Sequence, residues 1–171
     1  MSGPLSDVRV LDFTDRSAAL TGRILADLGA DVIMVESEDG NSIRRLAPFI
    51  AAEASAAHQY FSANKRSVVL NPSDPLFDGL AASANVVIDN GQLDHDWLIG
   101  LNPELVHCSV TPFGLEAEWR DWKATDLIAC AAGGLIWLCG EPKGTPVQGG
   151  SDVSAAMAGL IAASGISVAL Q

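Results

Sequence analysis

Short runs of β-branched residues alternate along this chain with longer segments whose apolar residues recur at helical spacing. That alternation constrains the fold, because parallel strands must be joined by crossover connections of roughly a dozen residues or more, and helices supply them. Val8 to Phe13 reads as the first strand. Ser17 to Leu28 reads as a helix, with Ala18, Ile24, Leu25 and Leu28 on its apolar stripe and Gly29 as its stop. Asp31 to Val35, Ser67 to Leu70, Val86 to Ile88 and Leu105 to Val110 read as further strands. A helix opens at Ser73-Asp74-Pro75, a cap followed by proline in the first turn, and a shorter one spans Asp96 to Leu101. Two more helices, Asp126 to Leu138 and Asp152 to Leu170, flank the turn-rich GEPKGTP. The pattern predicts an α/β fold, a Rossmann-like open and mostly parallel sheet with helices on both faces. At 171 residues and 49% hydrophobic content it predicts one domain over residues 1–171. Ligands of such sheets bind beyond the carboxyl ends of the strands, which points to the loops after Phe13, Val35, Ile88 and Val110.

Several function classes drop out. A net charge of −11 opposes a nucleic-acid surface, where clustered Lys and Arg must neutralise phosphates. Cys108, Cys130 and Cys139 match no zinc spacing, and with no signal peptide they read as reduced thiols in a cytoplasmic protein without a metal. The uncharged run from Val153 to Leu170 nears the length of a membrane span, but it is only mildly apolar and lacks basic or aromatic flanks. A buried core helix is the better reading. The first turn, TDRSAALTG, has no G-x-G-x-x-G to admit a pyrophosphate, and Glu36 alone reads as a solvated strand end rather than a ribose ligand. His58 and His95 read as surface residues and His107 as a core or edge position, while packing is expected for Trp97, Trp119, Trp122 and Trp137.

The strings PLSDVRVLDFT, GRILADLGADVIMVE, ANKRSVVLN, ANVVIDN, LNPELVHCSVTPFG and ATDLIACAAGGLIWLCGEPKGTPVQ closely resemble, in order and spacing, the class III (CaiB/BaiF-type) CoA-transferases. The resemblance covers nearly the whole chain. It implies the N-terminal, Rossmann-like, CoA-binding part of enzymes that transfer CoA between carboxylic acids or, in the racemase branch, epimerise 2-methylacyl-CoAs. Such proteins are usually more than twice this long and form interlocked dimers, so the family's second domain and return segment are expected to be absent here. In the family, an aspartate attacks the acyl-CoA thioester, giving a mixed anhydride and then an enzyme-bound CoA thioester. The segment PVQGGSDVSAAMAGL matches the nucleophile segment without a gap, and the aspartate's place is held by Ala155. Asp152, three residues earlier, is the alternative acid, although Ser151 or Asp152 also suits a helix cap. The racemase histidine is replaced by Thr125.

Carried over residue by residue, the resemblance implies CoA contacts at Asn64, Lys65, Arg66, Asn90 and Lys123. It also exposes losses: Glu38 stands where an arginine often follows the second strand, and Gly91, Gln92 and Leu98 replace an aromatic residue and two arginines. Charge-assisted bonds from arginine are the strong contacts to phosphate, so these changes weaken the expected CoA site. Three readings follow. The first is a catalytically degenerate CoA-transferase domain, a piece of a longer chain or a non-catalytic half, acting as a homo-oligomer or with a partner subunit. The second is an active CoA-transferase whose acid comes from Asp152 or a partner chain, and the third is a Rossmann-like binding module unrelated to acyl-CoA.

Overall fold

The computed structural model describes residues 3–51, 54–150 and 152–171. Its centre is a parallel sheet of five strands, β1 (Arg9–Asp12), β2 (Asp31–Glu36), β5 (Arg66–Val69), β6 (Val86–Asp89) and β7 (Val106–Ser109), in the spatial order β5-β2-β1-β6-β7. All five strands were legible in the sequence, and the order is that of a doubly wound Rossmann-like sheet. Val10 lies in register with Val32 on one side and Val86 on the other, so the pleat sends alternate residues to opposite faces.

Each face carries its own core. Val10, Val32, Val86 and Ile88 pack with Leu25 and Ala26 of α1 (Ala19–Asp27) and with Ala163 and Ile166 of α7 (Val153–Ala169). Leu11, Ile33, Val35 and Val87 meet Phe77 and Ala81 of α3 (Pro75–Ala82) and Leu98 of α4 (His95–Leu101) on the other face. Phe77 is fully buried, stacks on Trp97 with centroids 5.1 Å apart, and contributes about 1.5–3 kcal/mol by leaving water. The expected start of α3 holds: Asp74 accepts from the Leu76 N–H at 2.9 Å, with Pro75 in the first turn.

Helix α7 crosses α1 at Gly159. A Cβ there would stand 2.9 Å from Leu20 Cβ and 3.2 Å from the Thr21 nitrogen, so only glycine allows this approach. The helix is not wholly buried as expected. Gly159, Ala163 and Ile166 form its buried stripe, whereas Met157, Leu160, Ile161 and Val168 are exposed. No helix among the described residues is long and apolar enough to cross a membrane.

Other differences from expectation are local. The helix expected over Asp126 to Leu138 is two, α5 (Asp126–Ala132) and α6 (Leu135–Leu138), because Gly134 adopts a left-handed conformation between them. A short hairpin, β3 (Phe49–Ala51) and β4 (Ala54–Ser55), leads into α2 (Ala56–Ser62), and a 3₁₀ turn covers Ser42–Arg45. These pieces are too short, and the region too rich in alanine, to show a hydrophobic period. Trp97 is packed as anticipated, and Trp119 and Trp122 stack on each other while 48% and 60% exposed, whereas Trp137 is 82% exposed against the packing expected of it.

Candidate functional site

At the carboxyl edge of the sheet lies a cavity of about 360 Å³. The loop after β1 supplies Asp15, Arg16 and Ser17, the loop after β7 supplies Val110, Thr111 and Pro112, and the opposite wall comes from Ala124 to Asp126 and from the start of α7. This is where an open α/β sheet holds its ligands. Asn90, just past the end of β6, braces the wall: its amide donates to Ser17 Oγ and to the Val110 carbonyl, both at 2.9 Å, while its own oxygen accepts from the Asp15 N–H at 2.8 Å.

The start of α7 is tied to α5 by Asp126. Its Oδ1 accepts from both the backbone N–H and the hydroxyl of Ser154, at 2.8 and 2.6 Å. These bonds, that of the Ser154 hydroxyl foremost, hold the Asp126 carboxyl below its ordinary pKa. Asp126 therefore does the work expected of a local cap, from 28 residues away. Asp152 occupies the N-cap position but makes no side-chain cap; its backbone is left-handed at φ 62° and its carboxylate is claimed by Arg16, whose Nε donates at 2.9 Å and whose Nη2 donates to the same oxygen. That corrects the capping role expected of Asp152, and Ser151 lies outside the described residues. Ala155 follows in the first turn of α7, half-buried and lining the cavity with a methyl group.

A second cavity, of about 320 Å³, opens where the loops after β1, β2 and β5 meet. Glu36 lies in its wall, and the expectation of a solvated strand end is wrong. Its side chain is 2% exposed and takes a two-point contact from Arg44 at 2.6 Å, with further bonds from Ser67 Oγ and the Asn41 N–H. The Arg44 guanidinium first of all holds this carboxyl at about 2. Glu36 is thus an internal tie between β2 and the Ser42–Arg45 turn.

The model of CoA-transferase family III matches residues 5–171. The chain belongs to that family. It is 35% identical to the succinate–glutarate CoA-transferase of Agrobacterium fabrum, covering 98% of this chain and 47% of that protein. It is 36% identical to the succinyl-CoA–L-malate CoA-transferase beta subunit of Chloroflexus aurantiacus, covering 98% of this chain and 45% of that one. A crystal structure of a CaiB/BaiF family protein from Brucella suis superposes with a TM-score of 0.90 at 30% identity, over 99% of this chain and 50% of that chain. The chain thus spans about half the length of these relatives.

Within this family III domain, the residues expected to meet CoA do not gather in one place. Asn90 and Lys123 adjoin the first cavity, Lys123 exposed in the chain just before the wall residue Ala124. Asn64, Lys65 and Arg66 are engaged elsewhere. The Asn64 amide donates to Asp27 at 2.7 Å, and Arg66, at the amino end of β5, makes a two-point contact with Asp31. Lys65 is not the solvated cation its neighbours suggest: its ammonium and Asp12 form an ion pair at 2.7 Å, with both side chains 2% exposed.

Two of the positions where the resemblance puts arginines are put to internal use, whereas the third, Glu38, is exposed. Leu98 is fully buried in the α4 core, where a guanidinium would have no water, and Gln92 donates to the Phe13 carbonyl at 3.1 Å. Thr125 caps α5, its hydroxyl accepting from Ile128 at 3.4 Å, and has no group that could take a proton from carbon. Among the histidines, His107 is buried against Asp89 as an edge-strand residue, and exposed His95 bonds to it, Nδ1 to Nδ1, at 3.2 Å. His58 is half-buried rather than a surface residue, and burial lowers its pKa. Sequence reasoning missed Arg16, Asp126 and Ser154 as cavity residues. Arg16 lies in a loop that the strand-end rule already flags; nothing local marks the other two.

Proposed function

We propose that this family III domain contributes a CoA-facing wall to a CoA-transferase assembly without itself supplying the nucleophile. One observation carries the reading: Ala155, at the place where the family resemblance puts the attacking aspartate, lines the cavity at the carboxyl edge of the sheet. A methyl group cannot attack a thioester. The cavity's acids are engaged, Asp15 by Ser17, Asp126 by Ser154 and Asp152 by Arg16. Asn90 and Lys123 are the coenzyme-contact candidates that adjoin the cavity, whereas in this reading Asn64, Lys65 and Arg66 serve as partners of Asp27, Asp12 and Asp31. The three free cysteines accord with a cytoplasmic setting.

The acyl-transfer step is tested by incubating the protein with an acyl-CoA and trapping any enzyme-bound acyl group with hydroxylamine. No trapped species is expected from the wild-type chain. A second reading, with Asp152 as the acid, has the observation in its favour that Asp152 lines the same cavity. It requires a trapped species in the wild type that disappears in Asp152→Ala.

The partner reading is supported by apolar side chains standing in water on neighbouring helices: Leu127 and Ile128 of α5, Trp137 and Leu138 of α6, and Leu160 and Ile161 of α7. In this proposal a second copy or a partner subunit covers them.

A further inference from the structure

The cavity's charge and shape say which acyl group it would accept, an inference that rests on the CoA-thioester reading above. Among the described residues three carboxylates, Asp15, Asp126 and Asp152, line it, against a single guanidinium, that of Arg16. Arg16 is not free. Its Nε donates to Asp152 Oδ2 at 2.9 Å, and its Nη2 donates to the same oxygen. The remaining lining combines the methyls of Ala124, Ala129, Ala155 and Ala158 and the apolar surfaces of Val110 and Pro112 with the hydroxyls of Ser17, Thr111, Thr125 and Ser154, each of which already bonds within the protein.

A thioester of a dicarboxylic acid would bring a second, free carboxylate into this space. That group would lose water, find no unpaired cation in the lining, and face like charges at short range in a medium that screens them less than water does. An uncharged acyl chain meets none of these costs and gains contact with the alanine wall. Alanine at position 155 also adds room where a carboxylate would otherwise stand and removes a further negative charge. The loop that leaves the wall at Pro112 and returns at Ala124 carries an aromatic cluster outside the lining: Phe113, Trp119 and Trp122 pack edge-to-face and stacked, with the two tryptophans half in solvent. Lys123 in that loop is exposed and is not part of the lining.

We infer that this cavity selects thioesters with an uncharged, apolar acyl group over those with a free terminal carboxylate, and that the Arg16–Asp152 pair sets this preference by withholding the one cation among the described lining residues. The test uses the full-length protein with alanine methyls labelled with ¹³C, titrated with butyryl-pantetheine and succinyl-pantetheine. These probes lack the nucleotide phosphates, so they report on the cavity even if the CoA contacts have been lost. Butyryl-pantetheine is expected to shift the methyls of Ala124, Ala129, Ala155 and Ala158 at concentrations at least tenfold lower than succinyl-pantetheine. In Asp152→Asn, which frees Arg16, the succinyl probe should gain at least fivefold while the butyryl probe changes less than twofold. Equal affinities, a succinyl preference, or no shift with either probe overturns the inference. A parallel titration with CoA separates the two claims: pantetheine thioesters that bind where CoA does not refute the CoA-facing reading and leave the acyl preference standing.

Discussion

Replacing Lys65 by methionine isolates the most heavily buried charge pair described in the fold. The ammonium sits 2.7 Å from Asp12 Oδ2 and donates to the Ala19 carbonyl at 3.2 Å, while Asp12 Oδ1 accepts from the Thr14 N–H and hydroxyl at 3.0 and 2.6 Å. Gly22 makes the site possible, since a Cβ there would fall 2.1 Å from Asp12 Oδ2. Methionine fills the aliphatic path of the lysine but leaves the Asp12 carboxylate buried and unpaired, a change that costs about 3–5 kcal/mol. For a domain of this size each kcal/mol moves the melting temperature by about 2–4 °C, so a fall of roughly 6–20 °C is expected. Asp12→Asn with Lys65→Met should regain at least half of the loss, since the amide oxygen still accepts from Thr14 and no charge remains. Thermal melts followed by circular dichroism read both. A Lys65→Met protein melting within about 2 °C of wild type, or a double variant no better than the single one, refutes the assignment of Lys65 to the core.

Glu36 gives a second, acid-side prediction: its folded value of about 2 lies below the 4.5 of a free glutamate, so its contribution is complete above pH 4.5 and drains away as pH falls toward 2. That contribution is on the order of 2–3 kcal/mol, and Glu36→Gln should flatten the wild-type decline in urea-unfolding free energy between pH 4.5 and 2.5; an unchanged slope counts against it. The uncovered apolar residues of α5, α6 and α7 predict association, so light scattering of the purified protein at micromolar concentration should give a mass above the 17.8 kDa of one chain, and a clean monomer rejects it.

What the sequence made legible was whatever had a period or a local chemistry. The strands announced themselves because their β-branched runs are buried on both faces, as Val10, Leu11, Val86 and Val87 now are. The Asp74-Pro75 helix start was readable because the cap and the capped N–H are two residues apart. The site was less readable because its ties are long-range. Arg16 meets Asp152 across 136 positions, Asp126 meets Ser154 across 28, and Lys65 meets Asp12 across 53. A lysine followed by an arginine in a loop looks solvated until the strand beside it is seen to need a countercharge. Glu36 misled for the same reason: Arg44 reaches it only because the Ser42–Arg45 turn folds back over β2.

The acid at position 152 sharpens the meaning of the alanine at 155. A nucleophile relocated by one turn would need a carboxylate free to approach a thioester, on a backbone that could place it reproducibly. Asp152 instead sits at φ 62°, a left-handed conformation that aspartate tolerates better than most residues, before α7 begins, and its carboxylate points to the loop after β1. Its contact with Arg16 joins that loop to α7 across the cavity, much as Asp126 joins α5 to α7 on the other side. Both acids are therefore spent on holding the walls together. Restoring aspartate at 155 would add a fourth carboxylate to the cavity, within one helical turn of Asp152 and with a single guanidinium among the described lining residues to share, and repulsion would raise the proton affinity of the new group. An active Ala155→Asp variant should accordingly require Asp152→Asn beside it.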